Sequence, residues 1–184
     1  MARALVIIAQ GSEEMETTIT VDVLRRGGVD VVLAGLDGDA PVRCSRGVHI
    51  VPDAALSATL GPWDVVVLPG GAEGARRLEE SPAVGDLLRA QEAAGRAAAA
   101  ICAAPAALAK HNVYAGRALT SHPSVHDVVS AHGELVARTV VEDHNLITSQ
   151  GPGTTFAFAL ALVERLAGHE TAQNVRKGLL LPTS

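Results

Sequence analysis

The sequence predicts an open, mostly parallel α/β sandwich. Segments typical of strands alternate with segments typical of helices along the 184 residues, and the connections between them are short. Several strand-like segments are continuous apolar runs, the pattern of strands that are covered on both faces. The chain contains no repeat, low-complexity linker or domain boundary, and its length suits one core. We therefore interpret residues 1–184 as a single domain.

The first half of the chain indicates a strand–helix–strand unit followed by a hairpin. The run ARALVIIA is the first strand, and a helix follows from about Glu13 to Arg26, with Ser12 as its cap. A Gly-Gly pair ends this helix, and VDVVLAGL is a second buried strand. Two strands joined by a helix imply a right-handed crossover and parallel pairing. The segment PVRCSRGVHIVPD predicts a small hairpin.

The second half continues the alternation. WDVVVLPGG predicts a third strand, and RAAAAIC predicts a fourth. Between them, SPAVGDLLRAQEAAG predicts a helix with a Ser81 cap and Pro82 at its first position. Next come a short helix, APAALAKH, and a late strand, LITSQGPG. The chain then continues with two helices, TTFAFALALVERLAG and ETAQNVRKGLLLP, and the last of them ends near Gly178. Sites in such sheets form beyond the carboxyl ends of strands. The turns QGSEEMET, PGGAEG and ICAAP are therefore the candidate functional segments.

Composition argues against several classes of function. Hydrophobic residues make up 48% and aromatics 2%, so a core of Ala, Val, Leu and Ile is expected and disorder is not. The net charge of -5, without a basic stripe, argues against nucleic-acid binding. No apolar run approaches the roughly 18 residues of a membrane span, and the N-terminus indicates a strand instead of a signal peptide. Cys44 and Cys102 form neither a disulfide framework nor a zinc pattern, which favours a cytoplasmic or other reducing setting.

Cys102 is the candidate nucleophile. It lies where a predicted strand ends and a helix begins, with small residues on both sides. A sharp strand-to-helix elbow needs such neighbours and presents its nucleophile to solvent, and the start of a helix lowers a thiol pKa. The alternative is a buried spacer, because free cysteine is among the most buried residue types. The residues alone leave both interpretations open.

Glu16 is the candidate proton donor. Glu13 and Glu14 are interpreted as acids that only decorate the start of the first helix, where the helix dipole favours them. Glu16 points away from at least one of them. A carboxyl group beside a thiolate tends to keep its proton, because adjacent anions repel each other, and it can then donate to sulfur. The alternative is that Glu16 decorates the helix as well.

Histidine and glycine residues supply further candidates. His122 and a second histidine four positions later would suit a metal only in a helix, and no carboxylate motif accompanies them. We therefore expect no metal and no cofactor, and favour a histidine near Cys102 as an acid/base partner. Gly70 and Gly71 indicate either a plain turn or an oxyanion site in which the N–H groups of Gly71 and Ala103 converge.

The chain resembles the DJ-1/PfpI superfamily in a series of motifs that occur in the same order from about Arg3 to Leu181: GSEEMET, VDVLRRGG, CSRGV, DVVVLPGG, AAICAAPAAL, TSHP, TSQGPGT and FALALVERL. The resemblance implies a flavodoxin-like three-layer sandwich with helices on both faces of the sheet, a nucleophile elbow and a homodimer. It places the reactive cysteine at Cys102, its protonated partner at Glu16 and a nearby histidine at His122.

The resemblance also assigns residues to oxyanion and substrate binding: Gly70, Gly71, Ala103, Arg46, Arg26 and Pro152. The two arginines match ones near a dimer interface and the site entrance, and the proline matches one that lines the pocket from the partner chain. Cys44 matches a second, less critical cysteine. Three positions depart from the pattern of the human-type protein: Val51 replaces a cysteine, Gln150 an arginine and Ala104 a glycine.

The function implied by this resemblance is a cysteine-dependent enzyme that acts on small α-oxoaldehydes without glutathione. Methylglyoxal would become lactate, a glyoxalase III reaction, and the same chemistry would repair early glycation adducts, a deglycase activity. Ala103 stands where the protease branch of the superfamily has histidine, so a peptidase is not expected. The alternative is an oxidative-stress sensor or redox-regulated chaperone in which Cys102 becomes a sulfinate stabilised by Glu16.

Overall fold

Strands and helices alternate along the structure, a computed structural model that describes residues 1–182. The strands are β1 (Arg3–Ile8), β2 (Asp30–Gly35), β3 (Val42–Arg43), β4 (His49–Ile50), β5 (Ala54–Ala55), β6 (Val65–Leu68), β7 (Ala97–Ile101), β8 (Ala118–Leu119), β9 (Glu134–Leu135), β10 (Val140–Asp143) and β11 (Leu146–Ser149). The α-helices are α1 (Glu14–Arg26), α2 (Ala72–Glu80), α3 (Pro82–Ala93), α4 (Pro105–His111), α5 (His126–Ser130), α6 (Thr155–Ala167) and α7 (His169–Gly178).

Seven of these strands form one sheet in the order β10-β11-β7-β6-β1-β2-β5. All neighbours pair in parallel except the edge strand β10, which is antiparallel to β11. The register places Leu5 of β1 opposite Val32 on one side and Val66 on the other. Strands are thus added first to one side of β1 and then to the other, which confirms the flavodoxin-like, mostly parallel sheet.

Helices cover both faces of this sheet and complete three layers. Side chains alternate across a strand, so β1 contributes to two cores. Val6 and Ile8 belong to a core that includes Phe158 of α6 and residues of α1 and α7. Leu5 and Ile7 belong to a second core with residues of α2, α3 and α4. Burial on both faces explains why these strands are continuous apolar runs.

The start of α1 corrects the predicted helix cap. Glu13, not Ser12, is the N-cap residue, and its carboxylate accepts a hydrogen bond from the backbone N–H of Glu16 at 2.7 Å. Ser12 is buried instead, and its Oγ accepts from the N–H of Ala9 at 3.0 Å. Ser12 therefore closes the turn after β1, and the helix begins one residue further along.

Elsewhere the predicted elements agree with the structure, but several short elements were missed. The hairpin is formed by β3 and β4, and α3 begins with Ser81 accepting from the N–H of Val84 at 3.4 Å. The elements that the sequence did not predict include α2, β5, β9 and β10, and α5 was left open. Helix α2 buries Gly74, Ala75 and Leu78 and otherwise presents mostly charged residues, so Leu78 is the one large apolar residue on its buried face. None of the helices within residues 1–182 combines the length and apolar character that a membrane span requires.

Replacement of Phe158 by alanine tests the core between α6 and the sheet. Phe158 is fully buried, so we expect the free energy of unfolding to fall by about 3–5 kcal/mol through lost burial and a new cavity. Phe156, on the same helix, is 38% exposed, and Phe156→Ala should cost less than about 1 kcal/mol. Urea denaturation of both variants measures the difference. Equal losses would contradict this assignment of the core.

Candidate active site

Cys102 forms the sharp turn between β7 and α4. Its φ of 64° lies in the left-handed region, which residues other than glycine rarely adopt. Three backbone hydrogen bonds fix this turn: the N–H of Cys102 donates to Ser149 (3.0 Å), that of Ala104 to Ile101 (3.1 Å), and that of His122 to Cys102 (2.8 Å). The thiol is partly exposed. The turn is the predicted elbow, and its strained conformation is held from both sides.

The carboxyl group of Glu16 is completely buried beside this elbow. Its Oε2 accepts a hydrogen bond from the N–H of Gly70 at 2.7 Å, and its Oε1 has no hydrogen-bond partner within residues 1–182. A Cβ atom added to Gly70 would lie 2.6 Å from the Cβ of Cys102 and 2.8 Å from Oε2 of Glu16. Thiol, carboxyl and glycine turn therefore converge at one point, where no side chain fits at position 70.

Burial raises the pKa of Glu16 to about 7. The hydrogen bond from Gly70 and the contact with the Cys102 thiol act in the opposite direction, whereas the negative charge of Glu13 adds to the rise. A carboxyl group with this pKa exchanges its proton near neutral pH and can serve as either an acid or a base. The sequence analysis expects Glu16 to keep its proton, and the raised pKa is a shift in that direction, while its role as proton donor stays a prediction.

Burial raises the pKa of the Cys102 thiol to about 12, and the negative charge of Glu16 contributes to that rise. The N–H groups of Gly71 and Ala103 lower it, but by less than burial raises it. The expectation that the start of α4 produces a thiol of low pKa is therefore wrong. Thiol and carboxyl titrate as a pair, since an ionised Glu16 disfavours ionisation of the sulfur.

Two glycines let the loop after β1 approach the turn after β6. Gly71 has a φ of 86°, and a Cβ atom there would lie 2.4 Å from the carbonyl oxygen of Gly11 and 2.7 Å from the nitrogen of Glu13. The N–H of Glu13 donates to Gly70 at 3.0 Å. A Cβ atom on Gly74 would lie 2.6 Å from the Cα of Ser12. This backbone contact fixes the first turn of α1, and with it Glu16, against the elbow.

His122 is joined to the elbow through its backbone, while its side chain is exposed. Its ring Nδ1 lies 2.9 Å from the Oγ of Ser124 and accepts from the N–H of Ser124 at 3.2 Å. Within residues 1–182 no hydrogen bond connects the ring to Cys102. A Cβ atom on Gly151 would lie 3.8 Å from the ring, so His122 also neighbours the turn that holds half-buried Pro152. Contribution of Pro152 to a partner's pocket, and the homodimer itself, stay predictions.

The structure separates the two predicted arginines. Arg46 lies in the β3–β4 turn and lines a cavity of about 490 Å³ that also includes Ala72, the first residue of α2. Arg26 lies in the last turn of α1, ten residues or about 15 Å along the helix from Glu16. It pairs with Asp22 at 2.7 Å. Arg26 therefore does not line the Cys102 site of its own chain, because a straight helix places it at the opposite end.

Glu14 has a structural role that the sequence did not reveal. It is only 7% exposed, and its two carboxylate oxygens accept from the Oγ of Ser45 at 2.7 Å and the N–H of Arg46 at 2.8 Å. The N–H of Ser45 also donates to the carbonyl oxygen of Ser12 at 2.8 Å. Glu14 therefore fastens the hairpin turn to the start of α1 and does not merely decorate the helix. No local pattern predicts a contact across 31 positions.

The other cysteine is not part of this site. Cys44 is buried, and burial together with the charges of Glu14 and Glu13 raises its pKa to about 11. Of the two free thiols, Cys102 is therefore the accessible one. Among the described residues, no three or more His, Cys, Asp or Glu side chains are grouped so as to hold a metal ion.

The chain is similar to known proteins in sequence and in structure. The model of the DJ-1/PfpI family matches residues 2–165. Protein dj-1beta of Drosophila melanogaster is 54% identical over 180 residues, which cover 97% of this chain and 96% of that protein. The crystal structure of Drosophila melanogaster DJ-1beta has a TM-score of 0.97, with 53% identity and 99% coverage of each chain.

Two further relatives bear on chemistry. The glutathione-independent glyoxalase DJR-1.2 of Caenorhabditis elegans is 40% identical over 181 residues, covering 97% of this chain and 96% of the relative. The structure of oxidized DJ-1 from Toxoplasma gondii has a TM-score of 0.94, 34% identity and complete coverage of both chains. These likenesses extend over the whole of the site described above.

Replacement of Glu16 by glutamine tests the buried carboxyl through the pH dependence of stability. Between pH 4.5 and about 7 the unfolded chain releases a proton that folded Glu16 retains, so this group makes the protein less stable as pH rises. We expect wild-type stability, relative to Glu16→Gln, to fall by roughly 3 kcal/mol over this interval. Urea denaturation at a series of pH values measures it.

The exposed pair of Asp22 and Arg26 supplies the control. Asp22→Asn removes a carboxylate from the same helix, but both side chains of that pair are about half exposed, so its effect should stay below about 1 kcal/mol at every pH. Wild-type and Glu16→Gln curves that run parallel from pH 4.5 to 7 would show that Glu16 titrates as an ordinary carboxyl group.

Proposed function

The chain belongs to the DJ-1/PfpI family, and from this premise we propose that it is a cysteine-dependent enzyme that converts methylglyoxal and related α-oxoaldehydes to hydroxy acids without glutathione. The observation that carries the proposal is the partly exposed Cys102 thiol beside the buried Glu16 carboxyl, whose pKa is about 7. The name of the nematode relative, a glutathione-independent glyoxalase, supports the same reaction class.

The first step of this reaction is attack of the Cys102 sulfur on the aldehyde carbon. The resting thiol has a high pKa, so it needs a base, and ionised Glu16 takes its proton as the carbon–sulfur bond forms. A carboxylate with a pKa of about 7 is a stronger base than an ordinary one and is still ionised in roughly half of the molecules at neutral pH. Glu16 then passes this proton to the new oxygen, which gives a hemithioacetal and leaves the carboxylate ionised again. That oxygen accepts from the N–H groups of Gly71 and Ala103.

The second step moves a proton between neighbouring carbons. Removal of the proton from the former aldehyde carbon, with protonation of the ketone oxygen, gives an enediol. Return of a proton to the former ketone carbon, with loss of the proton from the hemithioacetal hydroxyl, gives a lactyl thioester. Glu16 carries this proton, and the exposed His122 exchanges protons with solvent at the edge of the site. Water then hydrolyses the thioester, which releases lactate and restores the thiol. One carbon is oxidised while its neighbour is reduced, so the reaction balances without an external oxidant.

The same steps apply to early glycation adducts on proteins. Such an adduct, a hemithioacetal or an aminocarbinol, supplies the same aldehyde carbon as free methylglyoxal. The thiol of the partly exposed Cys102 can attack that carbon. A deglycase activity is therefore included in the proposal. Ala103 follows the nucleophile where the protease branch has histidine, which argues against a peptidase.

Lactate formation from methylglyoxal alone tests the proposed enzyme. Purified protein should produce lactate without glutathione, and Cys102→Ser should reduce kcat/KM by more than about 1000-fold, because the nucleophile is lost. Cys44→Ala is the matched control, since it removes the buried thiol and should keep activity within about 3-fold. Lactate production that survives in Cys102→Ser would exclude the mechanism.

A second candidate function is oxidative-stress sensing, with or without a chaperone activity controlled by it. It is favoured by the similarity to an oxidized DJ-1 structure and by the position of Glu16. Peroxide would add two oxygens to Cys102 in two steps, each releasing water, and give a sulfinate. Protonated Glu16 could donate a hydrogen bond to it.

Mass spectrometry after mild peroxide treatment tests this second function. We expect a gain of two oxygens on Cys102 and none on Cys44, because only the first thiol is accessible. Glu16→Gln should change how far oxidation proceeds past the sulfinate, since the carboxyl proton is missing. Equal oxidation of both cysteines would contradict a dedicated sensor, and an inert Cys102 would count against both functions.

A further inference from the structure

A second cavity, of about 380 Å³, lies between α3 and the segment that joins β5 to β6. Its walls are mainly apolar and include Leu36, Leu56, Leu87 and Trp63. None of its lining residues belongs to the site around Cys102. Its volume is in the range of roughly 300–1,000 Å³ that small-molecule sites occupy.

Trp63 gives this cavity a rigid aromatic wall. It is the one tryptophan of the sequence and is 3% exposed. The guanidinium of Arg3 lies 4.3 Å from the ring centroid and covers one face of the indole. Arg3 is itself held by Asp30 at 3.4 Å and by the carbonyl oxygen of Pro62 at 3.1 Å. The indole plane is therefore fixed before any ligand arrives.

The polar side chains that line the cavity are Ser57, Thr59, Gln91 and Arg96, and the last two bear on its ligand. Gln91 is 2% exposed, and its Nε2 donates to the carbonyl oxygen of Ala97 at 3.0 Å, which fixes the amide. Its Oε1 accepts no hydrogen bond from the described residues, although Gln91 lines the cavity. Arg96 is the one charged residue among those lining the cavity, and its exposed guanidinium forms no ion pair within residues 1–182. The cavity thus offers a hydrogen-bond acceptor from the largely buried Gln91 and a cation at its rim.

We propose that this cavity binds a small, flat aromatic molecule that carries one anionic group and one hydrogen-bond donor, such as an arylamine carboxylate or sulfonate. The aromatic ring packs against Trp63 and the leucines, because these surfaces are apolar and already ordered. The donor pairs with Oε1 of Gln91, and the anion pairs with Arg96. An anion is favoured locally although the chain carries a net charge of -5, since no acidic residue lines the cavity.

Two dyes that differ by one sulfonate group test this proposal. 8-Anilinonaphthalene-1-sulfonate has two aromatic groups, one N–H donor and one sulfonate, and N-phenyl-1-naphthylamine is the same molecule without the sulfonate. We expect the sulfonate dye to bind with a stoichiometry of one and to quench Trp63 emission by energy transfer, because Trp63 lines the cavity. Dye binding with no effect on Trp63 emission would overturn the proposal.

Variants on α3 and at Arg96 show where the dyes bind. Ala90 and Ala93 are both exposed on this helix, but only Ala90 lines the cavity, so Ala90→Phe should weaken binding at least about 10-fold and Ala93→Phe should not. Arg96→Gln should weaken binding of the sulfonate dye about 3- to 10-fold and leave binding of the neutral dye unchanged. Equal binding by the two alanine variants would overturn the site, and equal effects of Arg96→Gln on both dyes would overturn its preference for anions.

Discussion

The buried carboxyl group of Glu16 is the constraint on which the site depends. An ionised carboxylate that is fully buried and accepts one backbone hydrogen bond is costly, so the fold shifts this group toward its protonated form near neutral pH. The same burial keeps the proton on Cys102. The two groups therefore titrate as a coupled pair, because a charge on one disfavours a charge on the other. In the proposed mechanism this coupling lets Glu16 act first as a base and then as an acid.

The pair exists because three strands are neighbours in the sheet. β1, β6 and β7 lie side by side in parallel, so the turns that follow them meet at one edge. Contact between these turns requires glycine at Gly70, Gly71 and Gly74, where a Cβ atom would collide with backbone or with the side chains of Cys102 and Glu16. Glu14 adds the hairpin turn to this assembly. Close contacts between these backbone turns therefore shape the site as much as its side chains do.

One arrangement can serve both proposed functions because both begin at the same sulfur. Attack on an aldehyde needs a base for the thiol proton, and ionised Glu16 is the proposed base. A sulfinate needs a hydrogen-bond donor nearby, and protonated Glu16 is the proposed donor. The small cavity beside Trp63 is separate from this chemistry. It shares no residue with the site and depends on the packing of α3.

The sequence by itself determined the layer architecture, most of the longer elements and the position of the turn that holds Cys102. Continuous apolar runs, the Ser81 cap and the small residues around Cys102 are local signals, and the motif series carried the resemblance that assigned Glu16. Tertiary structure alone decided that Glu14 clamps a turn 31 positions away, that Arg26 lies far from Cys102, and that burial raises the thiol pKa. The charged helix α2 and the edge strand β10 were likewise unpredicted. The reason is physical: periodicity and caps report on neighbouring residues, whereas burial and charge coupling depend on which distant segments the sheet brings together.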